Sequence, residues 1–135
     1  MDLTSPASES PTAGHQTILV IEDDPTIAEI LQLLLEDLGC EIIRAATGQQ
    51  AFELARSQRP DLITLDLLLP DGRDLVMELG SDAELAAIPI IVVSGRAYEP
   101  RPESNVVGAL LKPFDATELE NLVRRALQAP TGLAS

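Results

Sequence analysis

Aromatic residues are almost missing from this chain of 135 residues: two phenylalanines, one tyrosine and no tryptophan. A core must therefore be built from Leu, Ile, Val and Ala. Cysteine occurs once, at Cys40, which excludes an internal disulfide and fits a reducing cytoplasm. Positive charge is scarce. Nine basic residues face 22 acidic ones, for a net charge of −13, and Lys112 is the only lysine. Such a balance argues against a basic face for nucleic acid or for an anionic membrane. No apolar run approaches the roughly 18 residues that cross a bilayer, and the first residues have neither the basic end nor the apolar stretch of a secretory signal. What remains is ample for folding: 45% apolar residues and a mean hydropathy of +0.13 suit one globular domain with a single good core.

Residues 1–16 are rich in Ser, Thr, Pro, Ala and Glu and read as a disordered lead that includes His15. A domain is expected over 17–128, with a short tail at 129–135. Apolar runs at 17–22, 41–45, 62–66, 90–93 and 109–111 read as strands. Helical patterns lie between them. The first opens at Asp24 as N-cap with Pro25 behind it and stops at Gly39. Its residues Ile27, Ile30, Leu31, Leu34, Leu35 and Leu38 share one stripe. A second covers 48–57, with Ala51, Phe52, Leu54 and Ala55 inward, and a third 74–79. The last starts at Asp115 through Glu118, an acidic capping box, and carries Leu119, Leu122, Val123 and Ala126 on one face. Cys40 is expected to pack at the start of the second strand, and Tyr98 to lie at the surface or against a partner.

Alternating strands and helices imply a parallel sheet covered on both faces, an α/β doubly wound, flavodoxin-like fold. With five strands ordered 2-1-3-4-5, the order reverses between strands one and three, the crevice where such sheets bind ligands. The strand ends are chemically marked. One run ends in Glu22-Asp23-Asp24, another in Asp66, a third in Ser94-Gly95 and the last in Lys112. Carboxylates, a hydroxyl and one ammonium along one edge suit a phosphoryl group handled with a divalent cation.

The segments Ile18 to Pro25, Leu65 to Gly72, Ile90 to Gly95 and Lys112-Pro113-Phe114 resemble, in order and near-spacing, the receiver domain of two-component response regulators. The resemblance covers about residues 17–128. It implies that Asp66 is the phosphoacceptor, taking a phosphoryl group from a phosphohistidine of a sensor histidine kinase or a histidine phosphotransfer protein. A carboxylate of ordinary pKa, about 4, is ionised at neutral pH and needs no general base. The resemblance also implies Mg²⁺ held by Asp23 and Asp66, with Glu22 acting through water and the Leu68 carbonyl as a further ligand. Ser94 and Lys112 would contact phosphoryl oxygens, Gly95 would leave room for the group, and Pro113 would follow a cis peptide.

Singly, these residues have ordinary explanations. Glu22-Asp23-Asp24 can be helix N-terminal acids, Asp66 a turn residue, Ser94 a strand-end hydroxyl and Lys112 a surface lysine. Their combination favours the receiver. Two departures from the family bear on output. Ala109 stands three places before the lysine, where receivers commonly carry an aromatic, and Pro100 and Pro102 oppose a regular fourth helix, so about five helices are expected with the fourth short or irregular. With only the tail after the last helix, a stand-alone receiver is expected, not itself an enzyme, whose downstream protein target is unknown; a second copy of the chain is one candidate partner. A rival is a receiver-like interaction module working without phosphorylation. A haloacid-dehalogenase-like phosphatase would need a second Asp two places after Asp66, where Leu68 stands.

Overall fold

The computed structural model describes residues 16–99 and 104–128. All of the expected lead (1–16) but Gln16, the tail (129–135) and residues 100–103 lie outside the described residues. Five strands and four helices follow one another along those described: β1 (Thr17–Ile21), α1 (Pro25–Glu36), β2 (Glu41–Ala45), α2 (Gly48–Gln58), β3 (Leu62–Leu65), α3 (Leu75–Ser81), β4 (Ile90–Ser94), β5 (Val106–Leu111) and α4 (Ala116–Gln128). All strand pairs are parallel, and the sheet order is β2-β1-β3-β4-β5. The doubly wound order expected from the sequence is thus the one found. No helix among the described residues is long and apolar enough to cross a membrane.

Side chains on each strand alternate between two apolar layers, because successive residues point to opposite faces. Leu19, Ile21, Ile63, Leu65, Ile90 and Val92 meet Ala51 and Ala55 of α2 and Leu75, Val76 and Leu79 of α3. Ile18, Val20, Leu62, Ile91 and Val93 meet Leu31 and Leu35 of α1 and Leu119 and Val123 of α4. Aliphatic residues do fill this core. Cys40 is buried just before β2, among the α1 and α4 layer.

Helix starts follow local chemistry. Asp24 accepts from the Thr26 and Ile27 amides, Thr47 from Gln50, and Asp115 from Thr117 and Glu118. Helix α1 ends at Glu36, and Gly39 at φ +90° turns the chain toward β2, a left-handed conformation that favours glycine. The expected α1 stripe needs one correction: Ile30 is 45% exposed, since the buried seam runs through Ala28, Leu31 and Leu35.

The other differences lie around β5. That strand begins three residues earlier than expected, at Val106, with a register shift against β4 that leaves Val107 exposed. Gly108 lies under Leu122 so closely that a Cβ would sit 3.0 Å from its Cδ2. Four helices stand where about five were expected: residues 95–99 and 104–105 form none. Pro100 disfavours a helical Glu99, which is one physical reason. Tyr98, expected at the surface or against a partner, packs partly buried against the α2 and α3 layer, and its hydroxyl is buried without a hydrogen-bond partner among the described residues.

Candidate functional site

Parallel pairing brings the carboxyl ends of β1, β3, β4 and β5 to one edge. The ladder continues past the strands there: the Asp66 amide donates to the Ile21 carbonyl (3.0 Å), Glu22 to Ala45 (3.0 Å) and Lys112 to Ser94 (2.8 Å). These bonds fix the backbone under four of the expected site residues. Lys112 is joined to Pro113 by a cis peptide.

Glu22, Asp23 and Asp66 each offer a carboxylate oxygen, and these oxygens lie within 4.8 Å of one another. Glu22 and Asp66 are buried and Asp23 is exposed, so the cluster opens to solvent on the Asp23 side. The Lys112 ammonium enters from β5, 2.8 Å from Glu22 Oε1 and 3.4 Å from Asp66 Oδ2. The Leu68 amide donates to Asp66 Oδ1 (3.1 Å), so both carboxylate oxygens of Asp66 are engaged. Asp24 has the expected capping role, and its amide also donates to Glu22 Oε2 (3.2 Å). Ser94 is fully buried, and its hydroxyl accepts from the Arg96 amide at 3.3 Å.

Burial pushes the Glu22 carboxyl above its usual range, against the pull of Lys112. Burial also works to lower the Lys112 pKa, but Glu22 and Asp66 outweigh it and hold the ammonium above its ordinary value. Among the described residues, three carboxylates thus face a single ammonium. The excess of negative charge, and a donor set made wholly of hard oxygen, fit a divalent cation such as Mg²⁺.

One partnership was not legible in the sequence. Asp71, in the loop between β3 and α3, accepts from the Gly48 and Gln49 amides, each at 2.9 Å, at the start of α2. These bonds hold its carboxyl below the ordinary range. A folded-state pKa lowered in this way adds stability above the unfolded value of about 4, and that stability fades as pH falls through the folded value. The melting temperature of Asp71→Ala should therefore fall short of the parent's at neutral pH, and the gap should close in acid. A gap independent of pH would contradict this account.

The model of the response regulator receiver domain matches residues 18–124. The probable transcriptional regulatory protein TcrX of Mycobacterium tuberculosis is 35% identical over 125 residues, which cover 88% of this chain and 52% of TcrX. The chain thus spans about half the length of that relative. Protein Rrf1 of Nitratidesulfovibrio vulgaris is 35% identical over 112 residues, 82% of this chain and 81% of Rrf1. Among solved structures, the receiver domain of the sensor histidine kinase PA1611 from Pseudomonas aeruginosa PAO1 superposes with a TM-score of 0.75 at 30% identity, over 85% of this chain and 99% of that one; it holds a magnesium ion in its active-site cleft. Fold, strand-end chemistry and these relatives agree: the chain belongs to the response regulator receiver domain family.

Proposed function

We propose that the protein accepts a phosphoryl group on Asp66 in a two-component phosphorelay. The observation that carries this reading is the Asp66 carboxylate at the end of β3, with the Lys112 ammonium 3.4 Å away and two further acids beside it. The donor is a phosphohistidine of a sensor kinase or a phosphotransfer protein. An Asp66 oxygen attacks phosphorus, an O–P bond forms, the N–P bond breaks, and the imidazole leaves and is protonated. Lys112 contributes positive charge where negative charge builds up, and the Ser94 hydroxyl donates to a phosphoryl oxygen. Glu22, Asp23, Asp66 and the Leu68 carbonyl would hold Mg²⁺, which supplies charge neutralisation for the incoming phosphoryl group. No other substrate is turned over; the chemistry is the protein's own phosphorylation and dephosphorylation in the cytoplasm. Output passes by protein contact or onward transfer.

Incubation with Mg²⁺ and a small phosphodonor should add the mass of one phosphoryl group to the intact protein, and no addition would refute the reading. Loss of the group should be slow. The Leu68 side chain is apolar and 57% exposed, so it cannot orient an attacking water. Timing acyl-phosphate decay in the parent and in Leu68→Asn checks this, with faster loss expected in the variant.

A receiver-like module that binds without phosphorylation is the second reading. Ala109 is exposed and residues 95–99 form no helix, so the usual aromatic on β5 is missing beside an altered output face. Partner binding equal in the parent and in Asp66→Asn, with and without phosphodonor, would favour it.

A further inference from the structure

The loop from Leu67 to Asp74 brings the Leu68 peptide against Asp66, and apolar packing holds only its first part, through Leu67 and Leu69. Leu69 is buried and Leu67 half-buried, while Leu68, Pro70, Asp71 and Gly72 are exposed. A partly open pocket of about 210 Å³ is lined by both ends of the loop and its flanks, Leu65, Asp66, Leu67 and Gly72 to Leu75. Past Leu69, polar contacts do the holding. Asp71 spans two amides of α2, and Gly72 at φ +65° closes the turn by donating to the Leu69 carbonyl. Arg73 pairs with Glu78 and lies over the Phe52 ring, 5.7 Å from its centre. Opposite Asp71 there is no slack: a Cβ on Gly48 would stand 2.9 Å from Asp71 Oδ1 and 3.0 Å from Arg73 Cβ.

We propose that Asp71 is a positioning residue for the cation pocket, latching the β3–α3 loop to the first turn of α2 so that filling the pocket and ordering that turn are one linked equilibrium. The proposal rests on the reading of Glu22, Asp23, Asp66 and the Leu68 carbonyl as the Mg²⁺ site. Its reasoning is geometric. Asp66 and Leu68 are joined by a 3.1 Å hydrogen bond, and three residues further on Asp71 grips another helix. A ligand that needs the Leu68 peptide fixed must favour the latched loop. By linkage, the latched loop must favour the ligand by the same factor. Partners behind a metal's direct ligands commonly change its affinity by about 10- to 100-fold.

The test is a Mg²⁺ titration followed by backbone amide shifts, below the melting temperature of every variant. Asp71→Ala should raise the dissociation constant about tenfold, and Asp71→Asn, which keeps one acceptor, should fall in between. Thr47→Ala loosens the same helix start without freeing the loop and should stay within about twofold of the parent. In the parent, saturating Mg²⁺ should slow hydrogen exchange at Gly48 and Gln49 and leave Thr117 and Glu118 of α4 unchanged. The exchange measurement needs no variant, so it decides the matter even if Asp71→Ala fails to fold. Parent-like affinity in Asp71→Ala, equal weakening in Thr47→Ala, or exchange indifferent to Mg²⁺ would each overturn the latch while leaving the phosphoacceptor reading intact. A parent that binds no Mg²⁺ at all would overturn both.

Discussion

Asp66→Asn should fold, take up no phosphoryl mass from Mg²⁺ and a small phosphodonor, and melt at or above the parent's temperature without metal. The loss of phosphorylation is complete because an amide cannot act as the nucleophile. The gain in stability comes from charge. Asp66 shares its pocket with Glu22 and Asp23, oxygens within 4.8 Å, and among the described residues meets only the Lys112 ammonium in return. Removing one negative charge relieves more repulsion than it forfeits attraction, by about 1 kcal/mol at the intermediate dielectric of such a site. Asparagine still accepts the Leu68 amide. Magnesium should separate the two proteins further. At about a hundredfold excess over its dissociation constant it adds about 2.7 kcal/mol to the parent, and most of that should vanish in the variant. Thermal melts with Mg²⁺ and with chelator, alongside intact mass, measure both effects. Phosphoryl uptake by Asp66→Asn would place the acceptor on another side chain.

Lys112→Met should lose stability and phosphorylation together. Glu22 has a side chain only 1% exposed, and the ammonium 2.8 Å away is its compensating charge. Stripping the partner from a buried ion is strongly destabilising; here about 2–3 kcal/mol is expected, because the ammonium is partly wet and Glu22 can take up a proton instead. Adding Glu22→Gln should restore most of that stability, since the orphaned charge is gone. It should not restore phosphoryl transfer, which needs the ammonium at the phosphoryl oxygens. Denaturant melts and phosphodonor uptake on the single and double variants separate the roles. A single variant as stable as the parent would show that Glu22 finds its partner elsewhere.

Much of this was legible along the chain because each strand ends in a residue of distinct chemistry. Glu22, Asp66, Ser94 and Lys112 close apolar runs, and parallel pairing leaves those ends no other place than one edge. Cap residues were equally readable, since Asp24 and Asp115 act within three residues of themselves. Long-range polar contacts were not. The Asp71-Gly72 pair announces a turn, but no local pattern says that its carboxylate will reach Gly48, 23 positions away. The α1 stripe was read one residue too wide at Ile30, because helical periodicity gives the angle of a face but not how far the neighbouring α4 extends over it. The true start of β5 was hidden by its register shift. A bulge breaks the alternation on which strand recognition depends.

The ring of Tyr98, lodged on the α2 and α3 layer in the loop that follows Ser94, gives the molecule a built-in optical reporter. With no tryptophan and no second tyrosine, near-ultraviolet emission comes almost wholly from this one phenol. Its oxygen is buried and has no hydrogen-bond acceptor among the described residues, so a small displacement that wets it should change intensity. Events at the end of β4 could then be followed in real time without a dye, and a constant signal would confine them to the β1 and β3 side of the sheet.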